Sequence, residues 1–186
     1  MSGLTLLEVL VSTAILAAAV AMIYGIYATG SELWETKRDQ ADLQATARRA
    51  LDEMAKELRQ ATRTSAQGPS PNLVITAPPD NTQIDFYLPR DIDGNGSLVD
   101  AAGNIEWDTG NLITYYLDPA TRTVKCTEGA QERIVAHDVS DLKFIDHNIE
   151  APLYLTELRI TLTLSRVTPR QRTLTITLSS TIRLRN

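Results

Sequence analysis

Residues 4–30 read LTLLEVLVSTAILAAAVAMIYGIYATG, 27 residues with a single charge, Glu8. As a helix rising 1.5 Å per residue the run is about 40 Å long, against a bilayer hydrocarbon core of about 30 Å. At the bilayer centre a carboxylate costs about 2.5–3.5 kcal/mol, so Glu8 is read first as functional. A cleaved secretory signal needs a basic start and a shorter apolar core. Here no Lys or Arg precedes Lys37, and the run is too long. A plain membrane anchor fits the length but leaves Glu8 unexplained. A third reading is a short polar leader ending at Gly3, followed by an apolar helix that is kept.

The helix does not stop at Gly30. Residues 31–63 contain no Gly or Pro and are rich in good helix formers. Leu43, Ala47, Ala50, Leu51, Met54, Leu58 and Ala61 recur at steps of three and four, which makes one apolar stripe. Asp52 and Lys56 are spaced as a helical ion pair with the acid N-terminal. Gly68, Pro69 and Pro71 break the pattern. One helix over residues 4–64 is expected, apolar all round to residue 30 and amphipathic over 31–64.

Residues 65–186 read as a β-rich head. Strands are expected over Asn72–Ala77, Gln83–Leu88, Asn111–Leu117, Thr121–Cys126, Arg133–His137 and Val139–Asp146. Asp118-Pro119-Ala120 signals a hairpin. Leu158, Ile160, Leu162 and Leu164 alternate with polar residues, as do Leu174, Ile176, Leu178 and Ile182, with Thr168-Pro169-Arg170 in the turn between. Strict alternation means one buried face, as in an antiparallel sheet laid on a helix. The fold class is therefore α+β. Only 5% of residues are aromatic, so aliphatic side chains must supply most of the core.

Composition narrows the function. The net charge is −5, with no basic patch interleaved with aromatics, so nucleic acid is not an expected direct partner. Cys126 is the only cysteine, which rules out an intrachain disulfide. Cys126, His137 and His147 do not have zinc-ligand spacing. No nucleophile–base–orienter set is visible, and a non-enzyme is expected. His137 and His147 read as surface or satisfied polar groups, and Cys126 as a small, partly buried hydrophobe. Tyr27 and Trp34 flank the end of the apolar run, where aromatic belts sit.

One loop has ligand spacing. In Asp91-Ile92-Asp93-Gly94-Asn95-Gly96, oxygens at positions 1, 3 and 5 precede Gly at 6, as at the start of an EF-hand loop. Position 12 is Ala102, so the bidentate Glu is missing. Asp100, or Glu106 and Asp108 further on, could fold back to replace it. The expected calcium ligands are Asp91, Asp93, Asn95 and Asp100. The same residue types also suit a tight turn.

Gly3-Leu4-Thr5-Leu6-Leu7-Glu8-Val9-Leu10-Val11 resembles the prepilin-type cleavage and methylation motif of type IV pilins and type II secretion pseudopilins. The resemblance implies that prepilin peptidase cuts after Gly3, that Leu4 becomes the N-methylated first residue, and that Glu8 is the fifth residue of the mature chain. Where the family often has a helix-kinking Pro, this chain has Gly25. The resemblance also implies a pilin-like fold and a helical filament. There the Glu8 of an incoming subunit pairs with the Leu4 amine of its neighbour, which offsets the cost of desolvating each group alone.

The order of elements resembles J-type minor pseudopilins and W-type minor pilins. So do Thr114-Tyr115-Tyr116-Leu117-Asp118 and Val139-Ser140-Asp141-Leu142-Lys143-Phe144. The implied protein is a single-pass subunit of a bacterial inner membrane, with its head in the periplasm or otherwise outside the cytoplasm. It would help start or cap a type II secretion pseudopilus, packing against other minor and major pseudopilins through its helix. Two alternatives are a minor pilin used for adhesion, motility or DNA uptake, and a membrane-anchored calcium-binding domain.

Overall fold

The computed structural model describes residues 5–61, 73–75, 81–150, 153–154, 156–168 and 171–184. They comprise helix α1 (Leu6–Leu58) and strands β1 (Leu73–Ile75), β2 (Gln83–Phe86), β3 (Ile113–Asp118), β4 (Thr123–Glu128), β5 (Gln131–Ala136), β6 (Val139–Asp146), β7 (Glu157–Val167) and β8 (Thr173–Arg183). The architecture is α+β, one long N-terminal helix followed by antiparallel sheets. Residues 1–41 and residues 42–186 form two compact units.

In the first unit α1 has no packed face. Every residue from Thr5 to Tyr27 is exposed, including Leu6, Leu10, Ile15, Leu16, Met22 and Ile26. By length and composition this helix can cross a membrane.

In the second unit the helix is amphipathic in the expected way. Leu43, Ala47, Ala50, Leu51, Met54, Leu58 and Ala61 are all buried in one core with the strands, and Ala55 widens the stripe. The α-helix ends at Leu58, short of the expected residue 64. Its final turn tightens to three-residue bonds, Gln60 N–H to Glu57 O and Ala61 N–H to Leu58 O. Residues 62–64 lie outside the described residues.

The strands form two sheets where a single one was expected. One is a five-stranded meander, β1 to β5, and the other a three-stranded meander, β6 to β8. β6 does not ladder with the first sheet but is tied to it at two points. Asn81, itself buried, accepts the Phe144 N–H on its carbonyl and donates its side-chain amide to the Phe144 carbonyl, both at 2.9 Å. Val139 N–H donates to the Arg122 carbonyl in the β3–β4 turn at 2.9 Å.

Strand bounds differ from expectation where turns are tighter than the sequence suggested. β4 and β5 run up to a two-residue turn, Gly129-Ala130, with Gly129 at φ +57° and no room for a Cβ beside the Asn111 side chain. The Asp118 hairpin forms as expected: its carboxylate accepts the Ala120 and Thr121 N–H groups and the Thr121 hydroxyl. Of the expected first strand, residues 72, 76 and 77 lie outside the described residues, as do Pro169 and Arg170 of the last turn.

Candidate functional site

Gly3 and Leu4, the expected cleavage and methylation residues, lie outside the described residues. Glu8 sits in the first turn of α1, at its positive dipole end. Its carboxylate receives the Thr5 N–H and the Thr5 hydroxyl, each at 3.4 Å, and Glu8 N–H meets the Thr5 hydroxyl at 3.4 Å. This is a capping box at the start of α1, Thr at N-cap and Glu at N3. The signal was present in the sequence as Thr5-x-x-Glu8. Glu8 is exposed, and among the described residues no ion pair of its carboxylate is seen.

The 91–108 loop brings some of the expected ligands together. Asp91 and Asp93 lie with Glu106, each offering a carboxylate oxygen within 4.8 Å of the others. Glu106 is thus the residue that folds back, fixed by Ile92 N–H at 2.6 Å. Asn95 lies in the same turn: its N–H and side-chain amide both donate to Asp93, and its carbonyl oxygen caps Ser97 N–H. Asp91 accepts the N–H groups of Gly94, Asn95 and Gly96, and these bonds, led by that of Gly96, hold its carboxyl below the usual range. Asp100 belongs to a second turn, accepting Ala102 and Asn104 N–H at 2.8 Å, with its carboxyl lowered chiefly by Asn104. Asp108 is engaged elsewhere, by Arg90 and Asn111 at 2.8 Å. The buried Trp107, bridged to Pro89, anchors the base of the loop.

Sequence reasoning missed a polar node between α1 and the first sheet. The Tyr115 hydroxyl donates to Glu57 at 2.7 Å, and Arg133 reaches Glu57 at 2.8 Å and also pairs with Glu53. Burial raises the Glu57 carboxyl above its ordinary value, and the Tyr115 hydrogen bond opposes that rise. Desolvation also raises the Tyr115 hydroxyl, and it pushes the neighbouring Cys126 thiol up to about 12. Cys126 is therefore a buried thiol, as its composition suggested, and not a nucleophile at neutral pH. His137 is exposed; His147 is half-buried, and its Nδ1 has no hydrogen-bond partner among the described residues.

These groups set an acid limit. Asp118 is lowered to about 2, first by the Thr121 hydroxyl and then by Lys125, and Glu132 is lowered by Tyr116 and Lys125. Carboxyls lowered on folding add stability above their unfolded values, and that stability disappears as pH falls through the folded ones. Asp91, Asp100, Asp118 and Glu132 act in this sense, and the raised Glu57 acts in the opposite one. The melting temperature is expected to drop as pH falls from 3.8 to about 2, and Asp118→Asn should flatten that drop. An unchanged melting curve over this range would contradict the assignment.

Comparisons of the chain with protein-family models, with curated proteins and with solved structures found no match.

Proposed function

We propose that the chain is a minor subunit of a prepilin-type filament, a minor pseudopilin that helps initiate or cap the pseudopilus of a type II secretion system. What carries the reading is the position of Glu8: one carboxylate in the first turn of a helix whose apolar side chains are otherwise exposed from Leu6 to Tyr27. Such a surface needs hydrocarbon or other helices around it. The amphipathic half of α1, buried under β-strands, gives that apolar half a folded head. A minor pilin of a type IV pilus shares all of these features, and membership of one system or the other is set by its neighbours in the filament.

Mass spectrometry of the chain extracted from membranes tests the reading. The expected N-terminus is Leu4 carrying one added methyl group. An intact N-terminus bearing Ser2 would reduce the helix to a plain anchor.

A second proposal concerns the loop: calcium held by Asp91, Asp93 and Asn95, with Glu106 in place of Asp100 for the missing ligand. The spacing of oxygens at positions 1, 3 and 5 supports it. The affinity would fall in the weak, extracellular range of about 10⁻⁴–10⁻³ M. Calcium titrated into the full chain in micelles is expected to release or absorb heat and to raise the melting temperature. With neither effect, the loop is only a hydrogen-bonded turn.

A further inference from the structure

Among the described residues four strands lie at sheet edges, β1, β5, β6 and β8, and β5 and β6 are blunted. β5 carries Glu132 and Arg133; β6 has a register shift against β7 and is tied along its edge by Asn81 and Arg122. β8 has none of these devices. It is eleven residues long, with no Pro, no register shift against β7, and one charge, Arg183, at its end. Long edges of unbroken register are templates for another strand, and proteins usually protect them.

The hydrogen bonds show which groups face outward. Leu184 N–H donates to Thr156 O, and Thr168 N–H donates to Arg172 O, both at 2.8 Å. Even-numbered residues therefore bond to β7, because direction alternates along an antiparallel strand. The odd-numbered residues, Thr173, Thr175, Thr177, Ser179, Thr181 and Arg183, turn both N–H and C=O to the open edge. Among the described residues no other strand pairs with that edge. An open groove of about 240 Å³ runs beside it on the inner face, lined by Arg48, Leu51, Asp52, Leu178, Ser179 and Ser180.

We infer that the outer edge of β8 pairs antiparallel with β8 of a second copy, with Leu178 opposite its own counterpart. This register satisfies the open groups pairwise: Thr177 faces Ser179, Thr175 faces Thr181, and Thr173 faces Arg183. No like charges meet. On the inner face Leu174 falls opposite Ile182, and the two half-buried Leu178 side chains cover each other. One patch meets itself about a two-fold axis, so the assembly closes at a dimer. Each groove rim holds one cation, Arg48, and one anion, Asp52, so the facing rims do not repel as like surfaces. The inference stands on the edge of β8 and holds whether or not the chain enters a filament.

The full chain in detergent micelles provides the test, by sedimentation and by disulfide trapping. The wild type is expected to be dimeric. Thr177→Pro removes an outward N–H without touching a backbone bond to β7, at the loss of only the exposed hydroxyl contact to Thr163, so the head stays folded while the dimer weakens about tenfold or more. Leu178→Cys sits at a non-hydrogen-bonded pair, with Cα atoms about 4.5 Å apart, and should form a disulfide dimer on mild oxidation. Thr163→Cys, one strand further in, lies about 16 Å from its copy and should not. A monomeric wild type leaves the edge to a strand from a different chain and overturns the inference. A dimer unchanged by Thr177→Pro, or equal trapping at positions 178 and 163, overturns it as well.

Discussion

On the proposed filament role, Glu8→Gln is expected to insert into the membrane as the wild type does, yet to enter filaments at least about a hundredfold less well. Gln keeps the capping box, since it also bonds back to the N-cap backbone. What it loses is the charge. Removing one partner of a buried ion pair costs about 3–5 kcal/mol, because the neighbour's amine is left desolvated and unpaired. Glu8→Ala loses both the charge and its half of the capping box, while the Thr5 hydroxyl still accepts the N–H of residue 8. Crosslinking of the membrane-inserted subunit to its filament neighbours reads out the two variants. If Glu8→Gln assembles normally and only Glu8→Ala fails, the carboxylate is a helix cap and the ion-pair account is wrong.

Phe144→Ala is expected to destabilise the head by about 3–5 kcal/mol, a third or more of the usual stability of a domain. Phe144 is fully buried, and its backbone N–H donates to Asn81 while its carbonyl accepts from the Asn81 amide, so the cavity opens where the two sheets meet. Thr175→Ala, on the exposed face of β8, should stay within about 0.5 kcal/mol. Denaturant melts of the full chain in micelles, followed by near-ultraviolet circular dichroism, compare the two. Equal stability of Phe144→Ala and wild type would mean that the joint between the sheets is not where the core is held.

The parts of the fold that were legible in the sequence are those with a period. The stripe from Leu43 to Ala61 repeats every three to four residues, and every member is buried. β7 and β8 repeat every two, and the buried faces follow Leu158 to Leu164 and Ile176 to Ile182. Contacts without a period left no trace. Asn81 meets Phe144 across 63 positions, and Glu57 meets Arg133 across 76. No local pattern marks an isolated Asn as a joint between sheets, or a Glu on the polar side of a helix as the partner of a tyrosine hydroxyl. The Thr5–Glu8 cap was legible but was overshadowed by the cost of the same carboxylate in hydrocarbon. In the 91–96 loop, the spacing identified Asp91 and Asp93. Which distant acid joins them depends on the path of the chain back from Trp107, and that path brings Glu106.

Both sheets are meanders in which each strand pairs with the next one in the chain. Apart from the long 87–112 connection between β2 and β3, loop closure between such neighbours is short, so strand pairing can proceed in the order of synthesis. The first meander ends at Ala136, before β6 begins at Val139. A chain threaded N-terminus first could therefore complete one sheet while the other is still unmade. The late, slow event would be the closing of Asn81 onto Phe144, which has to wait for β6. Hydrogen exchange during refolding would then show two stages, with the amides of β3 and β4 protected before those of β7.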